Sequence, residues 1–100
     1  MSERDAQHTP REAVGLRYEG DESSAPRVIA RGRGELAERI LAVAEEHGVP
    51  VRRDPDLLQL LAVSQVGDEI PTEVYGAVAQ LISFLWRLNA EGADELDLAS

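Results

Sequence analysis

The chain has no cysteine and no lysine, and its 100 residues include one asparagine, two histidines and few aromatics. Without cysteine there is no disulfide framework, no thiolate nucleophile and no sulfur-ligated zinc site. No apolar run approaches the roughly 20 residues needed to span a bilayer. The N-terminal stretch MSERDAQHTPRE is polar throughout and has no apolar core of a secretory signal. The net charge of −9 opposes sequence-independent nucleic-acid binding, which needs a positive face to displace counterions. All ten basic residues are arginine, a compositional bias with one physical consequence. Exposed guanidinium groups such as those expected at Arg31 and Arg33 suit bidentate contacts with carboxylates.

What is present places the chain among soluble globular proteins, with 43% hydrophobic and 29% charged residues. The length suits one domain with a single modest core. Residues 1–12 are charged and aperiodic and read as a flexible polar arm. AVGLRY at 13–18 reads as a short strand, and EGDESSAP at 19–26 as a turn cluster. RVIAR at 27–31 is a second strand with a β-branched centre, punctuated by Gly32 and Gly34. A helix follows, in which Leu36, Ile40, Val43 and Ala44 recur on one face and Gly48 stands at the left-handed C-terminal cap. VPVRR at 49–53 is a third strand. Asp54-Pro55 then opens a helix over DLLQLLAVSQ, with Asp54 as N-cap and Pro55 at its first position.

After Gly67-Asp68, Ile70-Pro71 opens the longest helix, about residues 71–90. Val74, Tyr75, Val78, Leu81, Ile82 and Leu85 span about 120° of its wheel, enough for a core-facing stripe. The last ten residues, EGADELDLAS, read as an acidic tail that frays. The order β-β-α-β-α-α implies an α/β fold: a small mixed sheet of three strands, or four, packed with three α-helices. The second and third strands, joined by a helix, should cross over right-handedly and pair in parallel, and the first strand should join antiparallel.

No residue set points to catalysis or to a cofactor. His47 sits at a helix end, where a cation suits the carbonyl dipoles, and no His-x-x-x-His pair exists to hold a metal. The serines lack base partners. The glycines of RGRGEL lack a third glycine at GxGxxG spacing, so they read as a strand-to-helix turn. Adjacent carboxylates, Glu45-Glu46 and Asp68-Glu69, read as solvated faces. Trp86 is the more informative residue, because Ala79, Ile82 and Trp86 stand at i, i+3 and i+7 and form one ridge. That ridge is read either as packing or as an exposed partner-binding patch with a tryptophan anchor.

Taken in order, AVGLRY, APRVIARGRGELAERI, AEEHGVPVRRDPDL and VGDEIPTEVYGAVAQLISFLWRL resemble the cytoplasmic domain of the flagellar and injectisome export-switch proteins, the FlhB/YscU family. The likeness covers about residues 13–88 and implies an export-switch-like domain over 13–90 between the arm and the acidic tail at 91–100. Full-length relatives carry a membrane region and an Asn-Pro-Thr-His site, where the asparagine amide attacks its own carbonyl and breaks the chain. The corresponding slot here is degenerate: His8, Thr9, Pro10 and Arg11. Asn89 is the one asparagine and no proline follows it, so self-cleavage is chemically closed to this chain. The arm also lacks the apolar strand that precedes the site in the family, which favours three strands over four.

The resemblance further implies a small apolar patch that receives exported subunits, mapping onto Ala25, Pro26, Ala79 and Ile82, with Trp86 beside it. The expected function is thus a non-catalytic protein-binding domain of the type III, or flagellar, export apparatus. Its expected partners are export substrates or other export-gate proteins, with no nucleic acid, no membrane insertion and no cofactor or metal. The expected location is the cytoplasm, peripheral to the inner-membrane export gate. The alternative is a general adaptor or dimerisation module unrelated to secretion.

Overall fold

The computed structural model of the chain describes residues 11–18, 25–88 and 94–100, apart from the side chains of Leu85 and Trp86. The elements run β1 (Glu12–Arg17), β2 (Arg27–Arg33), α1 (Glu35–His47), β3 (Val51–Arg53), α2 (Pro55–Leu60), α3 (Thr72–Leu88) and β4 (Glu95–Ala99). The expected α/β fold with three helices is present, and its mixed sheet has four strands in the order β2-β1-β4-β3. β1 pairs antiparallel with both β2 and β4, and β4 pairs parallel with β3. Residues 1–10, most of the expected arm, and 19–24, most of the expected turn, lie outside the described residues, and Glu12, read as the end of the arm, opens β1.

Two expectations are corrected. The described end of the acidic tail does not fray: residues 95–99 form β4, an interior strand. Its ELDLA alternation sends Leu96 and Leu98 to one face, where neither has any exposed surface. Net charge hid a period-2 pattern too short to stand out beside Asp94, Glu95 and Asp97. Second, β2 and β3 run in the same direction but are not neighbours, because β1 and β4 lie between them. With about 4.8 Å per strand spacing the connection spans roughly 14 Å sideways, which a 13-residue helix about 20 Å long can do when laid across the sheet.

The two faces of the sheet differ in side-chain size. Val14, Leu16, Val28, Leu96 and Leu98 face α2 and α3, meeting Leu57, Leu58, Leu61, Ile70, Val74, Val78 and Ile82 in one core. Tyr75 and Leu81 pack against its edge, so the described part of the α3 stripe lies where its periodicity put it. The opposite face is built from Ala13, Gly15, Ala30, Gly32, Asp97 and Ala99, and α1 covers it. A Cβ on Gly32 would stand 2.5 Å from Leu36 Cγ, so glycine lets α1 turn straight back over β2. Gly32 is therefore part of β2 rather than its end.

The local punctuation of α1 and α2 holds. Gly48 has φ 72° in the left-handed region, and the Val49 N–H donates to the Ala44 carbonyl at 2.8 Å. The Asp54 carboxylate accepts the Leu57 N–H at 3.1 Å, with Pro55 in the first turn. α2 nevertheless ends at Leu60, short of the expected Gln65. There the chain bends to bring residues 67–70 against β2: Gly67 N–H donates to the Val28 carbonyl, Val28 N–H to Asp68, and Ile70 N–H to Pro26. Pairing with the exposed edge of β2 outweighs helix propensity. Arg31 secures the bend by donating to the carbonyls of Leu61 and Ser64. It is half-buried and serves backbone oxygens, not carboxylates, whereas exposed Arg33 does pair with Glu12 at 3.1 Å.

Candidate functional site

The five residues of the expected patch do not form one exposed surface. Pro26 is fully buried at the start of β2, where its carbonyl accepts the Ile70 N–H at 3.0 Å. Ile82 has no exposed surface and belongs to the core with Val74 and Val78. Ala25 and Ala79 are half-buried, and Ala79 lines a shallow hollow with Gln80, Ser83 and Arg87. The side chain of Trp86 lies outside the description. Burial therefore interrupts the Ala79–Ile82–Trp86 ridge in its middle, because the core stripe of α3 reaches as far as Ile82.

Of the degenerate cleavage slot, His8, Thr9 and Pro10 lie outside the described residues. Arg11 is described and is tied to the start of α1: its carbonyl accepts the Gly34 N–H at 2.8 Å, and its guanidinium lies 3.6 Å from Glu38. His47 Nδ1 lies 3.0 Å from the Val43 carbonyl, a contact within the last turn of α1. No helix among the described residues is long and apolar enough to cross a membrane.

The sequence reading missed a concavity among the described residues. A groove of about 830 Å³ opens between the C-terminal half of α1 and the small-residue face of the sheet. Ala30 and Asp97 lie on its floor, and the register joins them in one row through Gly15, on successive strands β2, β1 and β4. Gly15 and Ala30 leave the β2–β1 end of that row with almost no side chain. A Cβ on Gly15 would stand 2.9 Å from Asp97 Oδ1, so the glycine also makes room for the carboxyl. Ile29, Leu36, Ile40, Val43 and Val49 supply the apolar walls.

Asp97 is 7% exposed, and its carboxyl is pushed up from 3.8 to about 6, first by burial and then by the neighbouring charge of Glu95. Among the described residues, Arg39, His47, Asp94 and Glu95 are the other charged or titratable groups lining the groove. Because the folded state holds this proton more tightly than the unfolded chain, Asp97 lowers stability progressively as pH rises from about 4 to about 6. Above that window its cost is complete. Asp97→Asn should therefore raise stability at pH 8 by roughly 2 kcal/mol, discounted for the carboxyl's remaining solvent contact, and change little at pH 4. Urea unfolding of both proteins at the two pH values checks this, and an equal difference at both would contradict it. The signal in the sequence was the ELDLA alternation, which places one acid on the face opposite two leucines.

Comparison with known proteins bears out the resemblance read from residues 13–88. A model of the FlhB HrpN YscU SpaS family matches residues 10–85, from β1 through most of α3 and short of β4. The uncharacterized protein YlqH of Bacillus subtilis (strain 168) is 40% identical over 84 residues, covering 83% of this chain and 90% of that protein. The flagellar biosynthetic protein FlhB of Salmonella typhimurium is 38% identical over 77 residues, 76% of this chain and 20% of its own length. FlhB of Aquifex aeolicus is 38% identical over 74 residues, 73% of this chain and 21% of its own. The chain thus spans about a fifth of these FlhB proteins and nearly all of YlqH. On a match that takes in three of the four described strands, two described helices and most of the third, the chain belongs to the FlhB, HrpN, YscU and SpaS family.

Proposed function

We propose that this chain is a protein-binding domain of the flagellar or type III export apparatus, recognising export substrates or gate components without cutting itself. The observation that carries this reading is the family match over residues 10–85 in a chain whose one asparagine, Asn89, precedes alanine. Bond cleavage of the Asn-Pro kind needs the asparagine amide as nucleophile, and the slot residues His8, Thr9, Pro10 and Arg11 offer no equivalent group. Binding is what remains of the family's chemistry. It acts at the cytoplasmic side of the export gate, where exported subunits arrive. Of the inferred patch, Ala25 and Ala79 are the described side chains a partner can reach.

Two measurements test the reading. The purified chain should keep a single intact mass after prolonged incubation at 37 °C, and paired fragments would overturn the claim of no self-cleavage. Titration with purified flagellar export subunits, or with cytoplasmic domains of gate proteins, should give saturable binding that Ala79→Asp weakens about tenfold. No saturable binding to any of them would reject the proposed role. Binding indifferent to Ala79→Asp would move the interface off α3.

A further inference from the structure

We infer that the groove beneath α1 is a docking site for an amphipathic peptide segment of a partner protein, which lays apolar side chains along α1 and delivers a lysine or arginine to Asp97. This lies beyond the proposed export role and does not rest on it. The groove is on the sheet face opposite α3, so it is separate from Ala79.

The first support is an apolar stripe that the fold leaves unused. α1 is anchored by Ala37 and Ala44, both buried. Leu36 and Val43 remain 51% and 53% exposed and Ile29 on β2 39%, and all three border the groove. Leu36 and Val43 stand about 10 Å apart along the helix axis, two helical turns. A partner helix with anchors at i and i+7 matches that interval, as in other helix-in-groove complexes. The walls are made mostly of aliphatic carbon, which suits burial of apolar anchors.

The second support is charge. Asp97 lies at the bottom of an apolar groove, and no donor among the described residues reaches its carboxyl. Among the described residues no fully buried side-chain oxygen is left unsatisfied, so the carboxyl keeps its access to the groove itself. Asp94 and Glu95 add negative charge at the same end, although Glu95 is shared with Arg17 at 3.0 Å. Arg39 and His47 approach from α1 on the opposite wall. A cationic side chain entering along the floor meets Asp97 in a setting of low polarity, where a charge-assisted hydrogen bond is strong. The chain's own net charge of −9 disfavours a second copy in this role.

The test uses the whole chain and a synthetic helical peptide of about 15 residues, near the length at which an isolated helix is marginally stable. Leucines occupy i, i+3, i+4 and i+7, one lysine lies on the same face, and the other positions are alanine, serine and glutamine. At physiological salt, where long-range attraction is screened, fluorescence anisotropy should show saturable binding in the micromolar range. The shifted amides should lie in α1, β4 and the start of β3. Asp97→Asn should weaken binding at least about tenfold while keeping the fold, and replacing the peptide lysine with glutamine should do the same. Val43→Glu, at a half-exposed position, should abolish it.

Equal binding of a scrambled peptide of the same composition would overturn the inference. So would shifts confined to α2 and α3, or full affinity in Asp97→Asn. A dimer that sediments intact and is dissolved by Val43→Glu would show that the occupant is a second copy and overturn the assignment to a partner.

Discussion

Removing residues 94–100 is expected to abolish cooperative unfolding, although the sequence reads this stretch as an acidic tail. β4 lies between β1 and β3, and the described ladder of β3 runs to β4 alone. Two further hydrogen bonds depend on it: Asp97 N–H to the Pro50 carbonyl and Asp54 N–H to the Ala99 carbonyl, both at 2.9 Å. Leu96 and Leu98 are fully buried at the centre of the core. Each loses about 2–5 kcal/mol on truncation to alanine, against a total stability of roughly 5–15 kcal/mol for a domain of this size. Deleting both, with the ladders on either side, exceeds what the remaining core can tolerate.

The milder variant Leu98→Ala should fold and lose about 3 kcal/mol. Urea unfolding followed by circular dichroism separates these outcomes. A truncated chain that unfolds in one transition at the midpoint of the intact chain would show β4 to be dispensable. The family match stops at residue 85, so this experiment also asks whether the matched block stands alone.

The second large effect is at Ile82. Substitution by aspartate would put a carboxylate among Val74, Val78, Leu96 and Leu98, with no surface exposed and no charge partner in the core. Desolvation of an unpaired charge, added to loss of the isoleucine, should cost more than about 4 kcal/mol. Ile82→Asp is therefore expected to yield an unfolded or aggregated chain. It is not a selective probe of partner binding, although the sequence alone put Ile82 on a patch. Ala79→Asp, three residues earlier and half-buried, should change stability by less than about 1 kcal/mol. Thermal unfolding of the two variants side by side is decisive: similar melting temperatures would mean that α3 is turned differently from the face described.

These two sites show where the sequence reading stopped. The α3 stripe was legible because 17 residues carry enough turns for a 3.6-residue period to stand clear of noise. The same pattern cannot tell an interior stripe from its border, so Ile82 was assigned to both the core and a patch. For α1 the apolar face was legible and its orientation was not. The sheet below offers only small side chains, so the helix settles on Ala37 and Ala44 and leaves Leu36 and Val43 beside a groove. Asp97 was missed for a related reason. Five residues give two and a half periods of alternation, and three acids in four positions outweigh two leucines when composition is the guide.

By itself the sequence determined the features that act over one or two turns of chain: the Asp54-Pro55 start of α2, the left-handed Gly48 after α1, the strands β1 to β3, and the long helix α3. It also determined the family, through four segments in order, and it shows no Asn-Pro pair, since the one asparagine, Asn89, precedes alanine. Only the tertiary structure decided that the last strand enters between β1 and β3, that α2 stops where residues 67–70 meet β2, and that Arg31 turns inward. It alone set the small-residue face of the sheet opposite the unused side of α1, with Asp97 between them. The physical reason is one of range. Caps and periodicities are satisfied by neighbours in sequence, whereas strand order, burial and the charge state of a buried carboxyl depend on contacts between residues as far apart as Gly15 and Asp97.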